Sequence, residues 1–333
     1  MKNYIYTFVC LTLLFACQKN TSNDRLNVNN IIQIDEDLLL YHVKAMSHDS
    51  LQGRYFGTEG NYKTQRFIAQ QFDSLGIAPA FPSGSVQTYP YTFQGEARQK
   101  MYPIADPKDD FSNVPDTTVI GGNVVTMIKG EIEKIIVITG HFDHLGVQDG
   151  EIFNGADDNA SGAAALFTIA NYFKNKSPQH TLIFAAVDAE EVGYLGSKYL
   201  IDNFPFATEN IVLNINMDMI SHNNSSELVA SGLYHYPQLK QPLDDLKENN
   251  IKLIYGYDDP NDAMQDDWTF SSDHSIFHQR KIPFIYFGVE DHEDYHQPSD
   301  TYENINEAFY VDVVRLIIEA IDGYDVYLDK KNE

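Results

Sequence analysis

Strand-like and helix-like segments alternate through most of this 333-residue chain. That alternation predicts an α/β fold: a three-layer sandwich whose central, mostly parallel mixed sheet is flanked by helices. Two further observations support it. Thr181–Val187 is almost wholly apolar, as a strand buried on both faces must be. Candidate polar residues cluster directly after the strand-like runs, where open α/β sheets gather their sites.

The elements follow in order. Residues 34–46 carry apolar side chains at helical spacing (Ile34, Leu38, Tyr41, Ala45). Residues 58–75 read as a second helix, with Thr58 as N-cap and Gly76 as its stop. A glycine-punctuated loop, Leu51-Gln52-Gly53-Arg54, separates the two. Residues 82–119 read as loop, broken by a short strand at 86–93. Strands are expected at 123–128 and 135–139, joined by a hairpin turn at Lys129-Gly130-Glu131. Then come a helix at 161–175, the strand at 181–187, a helix at 193–203 and a strand at 211–217. A helix near 237–249, a short strand at 251–255, a helix near 273–280, a strand at 283–287 and a closing helix at 305–328 complete the chain.

The N-terminus reads separately. Residues 1–16 have a lysine start and an apolar core too short to span a bilayer, the pattern of an export signal. Leu14-Phe15-Ala16-Cys17 is similar to a bacterial lipobox, which implies cleavage before Cys17 and lipidation of its thiol. Residues 17–30 are polar and Asn-rich, a flexible tether. The expected organisation is therefore signal 1–16, tether 17–30 and one domain at 31–333. The expected location is the bacterial cell envelope, with the protein held to a membrane by the lipid on Cys17. With 48 acidic against 23 basic residues the formal charge is −25, which argues against a nucleic-acid partner.

The chemistry centres on Asn154-Gly155-Ala156-Asp157-Asp158-Asn159-Ala160-Ser161-Gly162. Two adjacent acids in a glycine-bounded turn need positive charge, most simply a metal ion. Candidate ligands stand at four other strand ends: His141-Phe142-Asp143-His144, Asp188-Ala189-Glu190-Glu191, Asn216-Met217-Asp218 and Tyr295-His296-Gln297-Pro298. One acid after a strand is ordinarily a helix cap or a turn residue; several converging loops of metal-ligating type are not explained that way.

These motifs, with Glu-Glu-Val-Gly at 190–193, Ser-Asp-His at 272–274 and Tyr-His-Gln-Pro-Ser-Asp-Thr at 295–301, resemble the zinc aminopeptidases of the aminopeptidase Y and bacterial leucyl aminopeptidase type. Glutamate carboxypeptidase and glutaminyl cyclase share that superfamily and its phosphorylase/hydrolase-like fold. The resemblance runs from about residue 51 to 304. It implies two zinc ions, with cobalt or manganese as substitutes. Asp158 would bridge them, His141 and Asp218 completing one and Glu191 and His296 the other. Glu190 would be the general base, taking a proton from water and passing it to the leaving amine. Asp143 would accept a hydrogen bond from His141, Asp157 would shape its loop, and Asp273 would support the centre or cap a helix. The bond after the bridging acid, Asp158-Asn159, would be cis.

The implied partners are peptides with a free N-terminus. A carboxypeptidase or a glutaminyl cyclase on the same scaffold is the alternative, and a receptor-like relative without metals a third. A carboxypeptidase needs arginines in the cleft, and Arg54, Arg280 and Arg315 are the few on offer. His144 is expected to pack or hydrogen-bond rather than ligate, and 291–294 to be a solvated loop. Trp268, Phe270, Tyr286 and Phe287 are candidate pocket walls. Nothing in 82–119 is long enough for the inserted protease-associated domain that such enzymes often carry.

Overall fold

The computed structural model describes residues 32–94, 116–247 and 250–330. The signal, Cys17 and the tether lie outside them. Two helices, α1 (Glu36–Met46) and α2 (Glu59–Leu75), open the chain. Asp35 and Thr58 cap them by accepting from Leu38 N and Asn61 N, and Gly76 stops α2 in the left-handed conformation.

The strands are β1 (Ala78–Pro79), β2 (Val86–Phe93), β3 (Thr117–Ile128), β4 (Ile135–His141), β5 (Gly146–Gln148), β6 (Glu151–Phe153), β7 (Thr181–Val187), β8 (Ile211–Met217), β9 (Glu227–Ser231), β10 (Lys252–Tyr255) and β11 (Phe284–Gly288). The later helices are α3 (Gly162–Phe173), α4 (Leu195–Asp202), α5 (Lys240–Asp244), α6 (His274–Gln279) and α7 (Glu307–Lys330). Nine strands form one sheet in the order β1-β3-β7-β4-β8-β11-β9-β10, with β2 paired to β3. Its centre, β7-β4-β8-β11, is parallel. Both flanks enter antiparallel, β3 on β7 and β9 on β11. β5 and β6 make a separate two-stranded hairpin.

The period of two along β4 sorts the core into layers. Ile136 and Ile138 pack in the large cluster with α1, α2, α3 and α7. Ile135 and Val137 pack on the opposite face with Leu200 and Ile201 of α4 and Ile276 and Phe277 of α6. These two apolar clusters, one on each face, are the three-layer sandwich that the alternation predicts.

Three sequence expectations change. β3 and β4 do not form a hairpin, because β7 lies between them. Residues 129–132 instead run beneath the start of β7, where Glu131 N and Ile132 N donate to Pro178 O and Gln179 O. A Cβ on Gly130 would stand 2.3 Å from the His180 carbonyl carbon, so this close crossing explains the glycine. β3 begins at Thr117, six residues early, because its first half pairs with β2. β9 is a strand where none was expected; its partners β10 and β11 are later in the chain.

Candidate metal centre

Each expected ligand follows one of the central parallel strands or the turn before α3. His141 ends β4 and Asp218 follows β8. Glu190 and Glu191 follow β7, and His296 lies in the loop after β11. Asp158 sits in the distorted turn at 156–161, and the Asp158–Asn159 peptide is cis, as the resemblance implies. Ala189, Met219 and His296 adopt left-handed φ of 61°, 58° and 54°. Such strained backbone beside the ligands persists only where surrounding structure holds it.

The carboxylate of Asp158 is shared between two histidines. His141 Nε2 is 3.4 Å from Asp158 Oδ1 and 3.2 Å from Asp218 Oδ1. His296 Nε2 is 3.1 Å from Asp158 Oδ2 and 3.7 Å from Glu191 Oε2. The two oxygens of one acid thus face two separate donor sets.

Electrostatics fit divalent ions. Burial pushes Asp158 up, Glu190 well up, and Glu191 to about 7, each with a neighbouring carboxylate adding to the rise. Burial alone would raise Asp218 too, but the paired His141 outweighs it and holds it low. Two buried acids, Asp158 and Asp218, beside two half-buried ones, Glu190 and Glu191, are costly unless cations compensate them. Arg54, the buried cation nearby, is committed elsewhere: it donates to the carbonyls of Phe142, Met46, Asn154 and Gly155. The donor set of imidazoles and carboxylates suits zinc.

The supporting residues differ in detail from expectation. The Asp143 carboxylate lies 3.6 Å from His141 Nδ1, an ion-pair distance rather than a close hydrogen bond, and helps to raise the histidine. His141 Nδ1 meets the Asp143 backbone carbonyl at 3.2 Å. The Asp143 carboxylate instead accepts from the backbone N–H groups of Glu190 and Glu191, at 3.0 and 3.2 Å. It therefore aims the acid pair. Asp157 shapes its loop by accepting from Ser221 N and Oγ through Oδ1. Asp273 is fully buried, and burial raises it to about 7. Its neighbour Ser272 accepts from Asn216 Nδ2. His144 is wholly buried, and its Nδ1 is 2.9 Å from Glu191 Oε1, a hydrogen-bond contact that also brings it within one donor set with Asp158 and Glu191.

Sequence reasoning missed four residues. Asp300 accepts from the backbone N–H groups of Asp157 and Asp158, at 2.8 and 3.0 Å, and so clamps the bridging acid from behind. It stands in the quoted Ser-Asp-Thr motif, which was its signal. His292 binds Asp157 Oδ2 at 3.0 Å and Asp294 is buried, so 291–294 is a solvated loop only at Asp291 and Glu293. Arg54 organises the turn before Asp158; a lone arginine in a loop carries no signal of that.

A cleft of about 750 Å³ opens on the centre. Trp268 and Tyr286 line it, as expected, together with Tyr194, Tyr257 and Tyr295. Phe287 is buried in the core and Phe270 is exposed outside the cleft, so neither forms a wall.

The fold and these motifs have counterparts. Aminopeptidase YwaD of Bacillus subtilis is 27% identical over 225 residues, 63% of this chain and 45% of that protein. The chain spans less than half the length of the first curated relatives it matches. Two solved structures from Bacteroides thetaiotaomicron, a leucine aminopeptidase precursor and a glutaminyl cyclase, each superpose with a TM-score of 0.65 at 18% identity. They cover 88% of this chain and 98% and 99% of their own. At that identity the likeness is one of fold. The sequence profile of peptidase family M28 matches residues 123–321, which contain every expected ligand, and the chain belongs to that family.

Proposed function

We propose that this chain is a zinc-dependent exopeptidase, an aminopeptidase that removes N-terminal residues from peptides at a two-zinc centre. The charge of the cleft carries this reading. Beyond the ligands it is lined by Asp266, Asp267, Glu290 and Asp291, and no arginine or lysine lines it among the described residues. A substrate ammonium is met by carboxylates there; a substrate carboxylate has no guanidinium to grip. Arg54 is buried against carbonyls, Arg280 pairs with Asp202 and Arg315 with Glu36. This disfavours the carboxypeptidase alternative.

His141 and Asp218 would hold one ion, Glu191 and His296 the other, and Asp158 both. Zinc bound there supplies Lewis acidity to polarise the scissile carbonyl. Glu190 accepts a proton from the attacking water and delivers it to the leaving amine. Its environment suits the task, since burial and the adjacent Glu191 raise its proton affinity. Asp143 holds its backbone in register, and the carboxylates of the cleft receive the substrate's amine.

The test is a panel of aminoacyl-nitroanilides, free and N-acetylated, with wild type and Glu190→Gln, zinc being counted on both. Release from free amines alone, lost in Glu190→Gln with zinc retained, supports the reading. Pyroglutamate formation from N-terminal glutamine peptides, without nitroaniline release, moves the assignment to a cyclase. Bound zinc with neither activity moves the test to C-terminal substrates, and no bound zinc with neither activity favours the receptor-like alternative. Export and lipid anchoring at Cys17, in the bacterial cell envelope, belong to the same proposal and rest on the lipobox-like motif alone.

A further inference from the structure

His222, His292 and Asp294 form a second cluster outside the centre. One nitrogen or oxygen from each lies within 4.8 Å of the others. His222 comes from the loop after β8, His292 and Asp294 from the loop after β11. His222 Nδ1 is 3.6 Å from Asp294 Oδ2 and has no hydrogen-bond partner. The imidazoles of His222 and His292 lie close together, 3.8 Å between centroids with their planes tilted by 33°. Two rings and a carboxylate are thus crowded together with one ring nitrogen idle.

The protons fit a ligand site. His292 Nε2 is bonded to Asp157 Oδ2 at 3.0 Å, and Asp294 N donates to His292 Nδ1 at 3.3 Å. His292 Nε2 therefore donates to Asp157, whose charge raises the pKa of His292 despite its burial, and Nδ1 faces one long backbone contact that an ion would displace together with any second proton. A carboxylate behind a histidine fixes its tautomer in this way in metal sites. Burial and the neighbouring His292 hold His222 below the usual histidine range, so its ring keeps a free lone pair. The side chains of His222 and Asp294 are 12% and 11% exposed, enough for an ion to reach them.

We propose that His222, His292 and Asp294 bind a third divalent cation, of zinc type, that shares no ligand with the main centre. Two imidazoles and one carboxylate leave a fourth position for water. The ion would brace Asp157 through His292 and so stiffen the turn that carries Asp158.

The probe is Zn²⁺ itself. The full protein is stripped with a chelator, reloaded with Zn²⁺, freed of excess metal, and its ions are counted by native mass spectrometry. His222→Gln is expected to carry one ion fewer than wild type, and Asp294→Asn the same; the second variant serves if the first does not fold. In an Asp158→Asn background, which damages the main centre, adding His222→Gln is still expected to remove one ion. The readout is a difference of one, so it stands whatever number the main centre holds. Equal counts in wild type and in the folded variants would overturn the site and leave the cluster a hydrogen-bonded pair of rings.

Discussion

Glu190 and Glu191 are neighbours in sequence with separate surroundings. Glu191 is 2.9 Å from His144 Nδ1 and 3.7 Å from His296 Nε2, whereas Glu190 shares a donor set with His141 and Asp218 and lines the cleft. Replacing Glu190 by Gln keeps the shape and removes the base, so kcat is expected to fall about 10²–10⁴-fold with zinc content unchanged. Elemental analysis beside the kinetics checks both halves. Arg54 is a different kind of residue: fully buried, it is held to about 10 by the cost of burial and so stays charged at neutral pH. Arg54→Met removes the donors of four carbonyls and the positive charge behind the acids. A loss of about 3–5 kcal/mol is expected, read by urea denaturation.

His274 predicts a pH dependence. Its Nε2 donates to Trp268 O, and burial lowers its pKa from 6.5 to about 4. A folded pKa below the unfolded one means that the unfolded chain binds the proton first. Stability is therefore expected to fall as pH drops from about 6.5 through about 4, through this group. Thermal melts of His274→Gln against wild type over that range should show a shallower slope in the variant.

At the scale of elements, the close approach of α3 to β8 decides the geometry. A Cβ on Gly162 would stand 2.3 Å from Met217 O, one residue before Asp218. Asn159 Nδ2 already donates to the same carbonyl at 2.9 Å. Gly162 has ordinary helical φ and ψ, so closeness rather than conformation requires it. Gly162→Ala is expected to push the end of β8 away and cost about 1–3 kcal/mol by overpacking. Reduced zinc affinity in a competition titration would accompany the loss. Gly155 differs: its φ of 55° adds a conformational demand to a Cβ clash with Asp158 O.

For the whole molecule, the parallel strands β7-β4-β8-β11 bring their carboxyl ends to one edge, and the acids collected there repel one another. Removing the metal is expected to lower Tm, and zinc to restore it. At a free zinc concentration a hundredfold above Kd, one site contributes about 2.7 kcal/mol. Calorimetry with and without chelator checks this, and an unchanged Tm would mean that the centre holds no ion. No described helix is long and apolar enough to cross a membrane. On the proposed lipid anchor, Cys17→Ser is expected to move the protein from the membrane to the soluble fraction on cell fractionation.

The alternation of strands and helices and the five candidate ligands were legible in the chain because they are local: apolar runs, turn glycines and short polar motifs. The partners of β3 and β9 were not legible, because pairing depends on strands far along the sequence, β7 at 181–187 and β11 at 284–288. The partners of Asp143, Asp300, His292 and Arg54 were hidden too, although Asp143 and Asp300 stand in motifs that the sequence displays. Each acts on backbone or carboxylate groups brought up by another segment, with separations of 47 residues for Asp143 and Glu190 and 143 for Asp300 and Asp157. Residue type says that an acid can accept a hydrogen bond. Only the folded sheet decides whose N–H it meets.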